Sequence, residues 1–377
     1  MTTLPSLAGT LRVRPGLPRP HNLASDRRAL AGVLLAGRFP AEAPHLLASL
    51  FTLCGHAHLL CATLALAAAQ GQDASASAAQ RRALRRETAR DHALRIGLDW
   101  PVELYVPGAL PAWADSSHKS LRGCPWLAEA PRPESDGIAW LADLLGTSPL
   151  AWLALWEREP AEWLAQWCER ERGWLPGLLH ACAPLANRVL QAAPPLRVHG
   201  SPSDLCAFAA GLGTAFEATA PTWRGLCAET GTWTRLHDPR AELPASAWER
   251  FGARIADLVR LSLPDAAERG GAGWLAAGAL QTGIGEGLAW VETARGLLIH
   301  RARVDGRPAD PRVASYDVVA PTDWNFHRLG AVAHALERMP ADGCEAGPLL
   351  RILMAAYDPC VRFAVESRTA TAELPHA

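Results

Sequence analysis

Apolar positions recur mainly at helical spacing along this 377-residue chain, and several of the runs they form begin with residues that cap backbone donors. Ser201-Pro202-Ser203-Asp204 places proline at the first helical position and a carboxylate at the third, ahead of Leu205, Cys206, Ala207 and Phe208. Ser246-Ala247-Trp248-Glu249 has the spacing of a capping box before Phe251, Ile255, Leu258 and Val259. Both predict helix starts. Trp152, Trp156, Trp163, Trp167 and Trp174 recur at spacings of four and seven, a helical stripe that Pro160 must kink or split. Such a stripe fills a core more often than it docks a partner, although tryptophan is enriched where proteins meet. Residues 72–90, rich in Ala, Ser, Gln and Arg, have little to bury and read as a solvated connection or an exposed helix.

The pattern changes near the carboxyl end. Residues 288–292 and 296–304 look extended, Asp305-Gly306 is a hairpin-type turn signal, and residues 316–319 can return as a strand. Gly283-Ile284-Gly285-Glu286-Gly287 supplies a flexible turn into the first of these. Beyond them, Asp358-Pro359 ends a helix over residues 349–356. The predicted class is α+β, mainly α, with a helical body beside a small antiparallel sheet or hairpin.

With 49% hydrophobic and 20% charged residues and a formal charge of −1, the chain can build a core and lacks the basic footprint of a nucleic-acid binder. Its single lysine, Lys119, leaves little room for Schiff-base chemistry and none for a Gly-Lys-Ser/Thr phosphate loop. Residues 1–6 lead into arginines and prolines without the apolar core of a signal peptide. The longest apolar runs, 59–69 (broken only by Thr63) and 270–280, have eleven residues each, short of the roughly 18 to 20 that cross a bilayer. A soluble, cytoplasmic protein is expected. Nine cysteines without an intact Cys-x-x-Cys pair fit free thiols in a reducing compartment.

Most short motifs dissolve on inspection. Gly211-Leu212-Gly213-Thr214 sits in a capped helical segment with no strand before it and no third glycine, so a dinucleotide site does not follow. One cluster is denser: Cys54-Gly55-His56-Ala57-His58-Leu59-Leu60-Cys61. At about 100° per residue, Cys54, His58 and Cys61 share one helical face. That is a metal-site pattern which buried thiols and a solvated histidine would also produce.

Four segments, taken in order, resemble the large subunit of nickel-iron hydrogenases. Gly37-Arg38-Phe39-Pro40, running on to Cys54-Gly55, is similar to that family's Gly-Arg-x-Pro lead into its first Cys-Gly-x-Cys motif. Glu292-Thr293-Ala294-Arg295-Gly296 is similar to its Glu-Ala-Pro-Arg-Gly strand, and Pro321-Thr322-Asp323-Trp324-Asn325 to its Pro-Thr/Ser-x-Trp-Asn segment. Asp358-Pro359-Cys360 is similar to the start of Asp-Pro-Cys-x-x-Cys-x-x-His. The resemblance implies one domain over 1–377, with an N-terminal motif at 37–61, an unmatched helical region at about 70–280 and C-terminal motifs at 288–366. It also implies that the two ends meet at the centre, where Cys54 and Cys360 become neighbours.

The departures from the family decide the functional expectation. In the family, the first cysteine of each pair is terminal on nickel, and the second bridges nickel to an iron carrying cyanide and carbon monoxide. Ala57 and Phe363 stand at the bridging positions, Gly32 near the place of a proton-relaying glutamate, Cys61 where the first motif ends in histidine, and Glu366 where a final histidine marks tail processing. The iron side persists: Arg295, Pro321 and Thr322 match residues that surround the cyanides, while Ala294 loses a proline. Cys54 and Cys360 are the implied metal thiolates, with His58 and Cys61 as further candidates. This combination resembles the HupK/HoxV group of accessory proteins in hydrogenase formation. It implies no catalytic residue, no nickel and a transiently held Fe(CN)2CO fragment. The implied partners are the hydrogenase large-subunit precursor, a HypC-type chaperone and a HypD-type assembly protein, with neither nucleic acid nor membrane among them. The alternative is a metal-free interaction protein that binds the same maturation partners, its two cysteines being structural thiols.

Overall fold

In the computed structural model, which describes residues 9–104, 112–130, 132–191, 193–212, 220–238, 240, 243–265, 269–307 and 309–366, the helix-spaced runs are helices. Residues 1–6, Gly213-Thr214 and the tail beyond Glu366 lie outside the described residues. Strand β1 (Thr10–Val13) pairs antiparallel with β2 (Leu23–Ser25), and the chain then enters α1 (Leu30–Leu35), α2 (Ala43–Leu50) and α3 (Gly55–Ala69).

Helix α4 (Ala78–Leu94) starts at Ser77, whose hydroxyl accepts from Gln80 N–H while the Gln80 side chain accepts from Ser77 N–H. It is not the exposed helix that residues 72–90 suggested. Leu84, Ala89 and Ala93 are buried, and so is Arg85, because its guanidinium donates to the Leu261 and Leu263 carbonyls at 2.6 and 2.9 Å. A π turn at Arg95–Asp99 carries α4 into α5 (Trp100–Glu103), and α6 (Ala112–Arg122) and α7 (Glu134–Leu145) follow.

Pro160 splits the tryptophan stripe into α8 (Pro149–Arg158) and α9 (Pro160–Arg170), and Trp174 opens α10 (Trp174–Ala186). Trp152 stacks on Trp156 and meets Trp167 edge-on, each pair 5.7 Å between ring centroids, and all three are buried. The stripe is core packing, with Trp163 and Trp174 partly buried against it.

Both capped starts are present. Ser201 accepts from Asp204 N–H at the head of α11 (Pro202–Gly211), and Ser246 accepts from Glu249 N–H at the head of α12 (Ala247–Ser262). Glu249 reaches back to Ala245 N–H, one residue beyond the box position. Helix α12 is buried almost all round, including Arg250, Arg254, Asp257 and Arg260. Asp257 accepts from His92 at 2.7 Å, from Arg235 at 2.9 and 2.6 Å, and from Trp274 at 2.6 Å. Burial opposes its charge, yet Arg235 and His92 outweigh that and hold the carboxyl well below the usual carboxylate range.

Strands β3 (Ala277–Gly283), β4 (Glu286–Thr293), β5 (Gly296–Arg307) and β6 (Asp310–Val319) form an antiparallel meander in that order. The hairpin tip falls beyond the expected Asp305-Gly306. Those residues continue β5 opposite Arg312 and Pro311, because a register shift after Arg303 lets the ladder run on. Helix α3 lies on this sheet at Gly287, where a Cβ would stand 2.1 Å from the Ala65 carbonyl oxygen. Residues 52–69 are apolar enough, by length and composition, to cross a membrane, although the longest unbroken apolar run is shorter; here they pack between α2 and the sheet. Gly287→Ala must lift the helix off the strand, so a loss of about 1–3 kcal/mol in denaturant unfolding is expected.

Short helices α13 (Pro321–Asn325) and α14 (Ala331–Glu337) lead to α15 (Ala346–Tyr357), which contains the helix expected before Asp358-Pro359. The last strand, β7 (Arg362–Val365), then lies parallel to β1, from Thr10↔Arg362 to Val13↔Val365. This second sheet, ordered β2-β1-β7, ties the end of the chain to its beginning.

Candidate functional site

A cavity of about 130 Å³ opens where the α2–α3 junction, the β4–β5 turn, the start of α13 and the turn after α15 converge. Cys54, His58, Arg295, Pro321, Thr322 and Cys360 all stand on its wall. Those are six of the seven residues singled out from sequence. The seventh, Cys61, is buried outside it, its sulfur 4.0 Å from the Leu298 carbonyl oxygen on β5. The shared helical face fails for a local reason: Cys54 precedes α3 with φ −139° and ψ 46°, so the helical phase starts only at Gly55.

Cys360 is aimed by the end of α15. Asp358 takes a left-handed conformation, φ 47°, and Pro359 prevents the helix from resuming. The Cys360 sulfur accepts from Thr322 Oγ1 at 3.0 Å and from Arg27 Nη1 at 3.1 Å, while Cys360 N–H donates to Thr322 Oγ1 at 3.1 Å. Arg27 also pairs with Asp323 at 3.0 Å, and Asp323 accepts from Ala320 N–H at 2.9 Å in the first turn of α13. Burial works against the Arg27 charge, but Asp323 and Cys360 keep it firmly protonated.

Cys54 has a different setting. Burial first, then nearby Cys360, pushes its thiol up, and Arg295 offsets part of this. Below it, Glu87 accepts from His56 N–H at 2.8 Å and Ala57 N–H at 2.9 Å, filling the donors at the start of α3. Burial outweighs those bonds and pushes the Glu87 carboxyl up to about 7. Ala57 is thus sealed beneath a carboxylate, and Phe363 sits in β7 opposite Leu11; neither is on the cavity wall.

Arg295 is held from behind. Its Nη1 lies 3.2 Å from Asp91 and its Nε 3.5 Å from Asp358, which also pairs with Arg254 at 3.1 Å and with Arg95. Burial disfavours the Asp358 charge, yet Arg295, Arg95 and Arg254 together hold its carboxyl far below the usual range. Arg254 Nη1 in turn contacts His92 at 3.2 Å, so the cavity is linked to the Asp257 cluster in α12. The fixed arginine presents positive charge to whatever the cavity holds.

Gly32 has no room for a side chain: a Cβ there would lie 2.9 Å from the Tyr316 carbonyl oxygen, because α1 abuts β6. Glu366 is spent on Arg14, whose Nε donates at 2.6 Å, and on Val13, whose carbonyl accepts Glu366 N–H at 3.0 Å. Among the described residues, no group of three or more His, Cys, Asp or Glu side chains is arranged to hold a metal ion. Sequence reading missed Arg27, Glu87 and Asp91, which lie in no motif.

No family model matches the chain. It is 40% identical to the hydrogenase expression/formation protein HoxV of Cupriavidus necator, with all of both chains covered. It is 29% identical to the hydrogenase expression/formation protein HupK of Bradyrhizobium diazoefficiens, covering 89% of this chain and 90% of that one. The fold matches the reduced Ni-Fe-Se hydrogenase of D. vulgaris Hildenborough with a TM-score of 0.53 and 15% identity, over 90% of this chain and 92% of that one.

Proposed function

The chain belongs to the HoxV/HupK family of hydrogenase expression/formation proteins, built on a hydrogenase large-subunit fold, and from that premise we propose that it is an accessory scaffold which holds the Fe(CN)2CO fragment during hydrogenase maturation. The observation that carries this reading is the meeting of Cys54 and Cys360, from opposite ends of the chain, on one cavity wall with Arg295, Pro321 and Thr322. A low-spin iron that brings three diatomic ligands of its own needs few protein donors, and two soft thiolates suit it. Arg295 supplies donors for its cyanides, while the Thr322 hydroxyl donates to the Cys360 sulfur and steadies that ligand.

The fragment is cargo. It enters as a Cys54 or Cys360 thiolate, its proton released, forms an iron–sulfur bond while the delivering protein's iron–sulfur bond breaks and that sulfur takes up a proton, and it leaves by the reverse exchange with a thiolate of the receiving protein. Partners on this reading are the large-subunit precursor, the HypC-type chaperone and the HypD-type assembly protein, met in the cytoplasm. With Ala57 and Phe363 at the bridging positions, no dinuclear centre assembles in the hydrogenase manner. Purified protein is therefore expected neither to oxidise nor to evolve hydrogen with artificial electron carriers. Turnover abolished by nickel removal would contradict this.

A metal-free interaction protein is the second reading, favoured by the want of a third donor beside the two thiols among the described residues. Anaerobic co-purification with elemental analysis separates the two. The scaffold reading expects the maturation partners together with iron and without stoichiometric nickel. Partners without iron would favour the second.

A further inference from the structure

The cavity wall carries one imidazole whose hydrogen-bonding direction can be worked out atom by atom. His58 is 2% exposed and lines the cavity. Phe51 stacks on its face, with centroids 4.1 Å apart and 17° between the rings, which fixes the plane of the imidazole. His58 Nδ1 lies 3.0 Å from His300 Nε2, leaving Nε2 as the polar atom the ring presents to the cavity. His300 Nδ1 lies 2.7 Å from the Tyr316 hydroxyl, and this is the phenol's hydrogen-bond contact among the described residues.

Burial holds both imidazoles neutral, lowering His300 to about 3 and His58, aided by His300 and Arg27, well below its ordinary value. Each ring therefore carries one N–H, and the chain can run in two directions. In one, Tyr316 donates to His300 Nδ1, His300 donates from Nε2 to His58 Nδ1, and the His58 proton sits on Nε2. In the other, every bond reverses and the buried Tyr316 hydroxyl is a donor without an acceptor. Each direction leaves one donor over: the first places it on His58 Nε2, at the cavity, where water or a ligand can accept, and the second strands it on the Tyr316 hydroxyl in the interior, so the first wins.

We propose that His58 is a preset hydrogen-bond donor, through Nε2–H, to an anionic acceptor atom in the Cys54–Cys360 cavity, and is not a metal ligand. The identity of the acceptor rests on the carrier reading above, where it is a cyanide nitrogen of the iron fragment; the direction of the donor does not. A nitrogen that already bears a proton has no lone pair for iron, so the role left to it is to orient the cargo by one of its cyanides while the thiolates take the metal. His300 and Tyr316 are positioning residues, since they set the tautomer from behind.

The experiment has two arms. In the empty protein with nitrogen-15-labelled histidine, NMR is expected to show His58 and His300 neutral with their protons on Nε2, and Tyr316→Phe to release that preference in His300. A His58 proton on Nδ1 would overturn the donor assignment. In protein loaded by its maturation partners, His58→Leu is expected to shift one cyanide infrared band and abolish its sensitivity to exchange into heavy water, with His58→Gln, which keeps an N–H donor, restoring part of both. Bands present but untouched by His58→Leu would overturn the role toward cyanide and spare the carrier reading. Wild-type protein without any such bands would overturn the carrier reading and the cyanide acceptor together, while the labelled-histidine arm still decides the donor's direction.

Discussion

Replacing Cys360 with serine will lower bound iron by roughly tenfold or more, at least the lower end of the losses caused by disturbing the partners of metal ligands, and Cys54→Ser will do the same while fold and partner binding persist. Serine keeps the volume but offers a hard, weakly acidic oxygen where the iron fragment needs a soft thiolate. At position 360, Thr322 and Arg27 remain in place to donate to the new hydroxyl, so the surroundings survive and the loss reports on the donor atom. At position 54 the thiol has burial to overcome before it can ligate, and one cysteine alone holds the fragment poorly. Iron per chain and the hydrogenase activity of the producing cells are the readouts. Cys124, Cys168 and Cys182, buried elsewhere, Cys206 and Cys344, exposed, and Cys227 serve as controls, and Cys61→Ser joins them because its sulfur faces Leu298 and not the cavity. Undiminished iron and normal hydrogenase maturation in both single variants would make these thiols structural.

The second large effect is on stability. Asp358→Ala removes the one carboxylate that Arg95, Arg254 and Arg295 share in the interior. Arg95 keeps Asp99 and Glu103 and Arg295 keeps Asp91, but the buried Arg254 loses its ion-pair partner, and a buried charge left without its counter-ion costs about 3–5 kcal/mol. A fall of that size in denaturant-derived stability is expected. Glu366→Ala, which breaks a partly exposed pair with Arg14, should cost only about 0–1 kcal/mol by the same measurement. The contrast matters for the site, because Asp358 links the cavity arginine to the Arg254–His92–Asp257 cluster beneath it. If both variants unfold at the same denaturant concentration, the buried network carries no special weight.

Local chemistry made the helices and the meander legible. Ser201 and Ser246 announce their helices through hydroxyls that take up free N–H groups, and Pro160 breaks the tryptophan helix because its ring cannot continue the ladder. The β1–β7 sheet was hidden for the opposite reason: its strands have three or four residues, too few for alternation to register, and one pairing joins the two ends of the chain. Buried charge misled in the same way. Arg85 and the charged residues of α12 look like solvent-facing positions until carbonyls and carboxylates from distant segments are folded against them.

The site was legible to the extent that motifs carried it. Cys54, Arg295, Pro321, Thr322 and Cys360 come from four short segments, and the fold gathers all five around one cavity. The residues that tune them, Arg27 on the Cys360 sulfur, Glu87 on Ala57 N–H and Asp91 on Arg295, belong to no motif. Their roles depend on packing between elements far apart in the chain. Even His58, named at first for its phase with Cys54, lines the cavity for another reason: it lies in the first turn of α3, stacked on Phe51.

Infrared spectroscopy of the protein, co-produced with its maturation machinery and purified without oxygen, observes the proposed cargo in the Cys54–Cys360 cavity directly. The expected spectrum contains bands of iron-bound cyanide and carbon monoxide, from a preparation holding iron but no stoichiometric nickel. A spectrum without those bands, from preparations whose maturation partners are demonstrably loaded, would contradict the carrier role and leave a metal-free interaction protein.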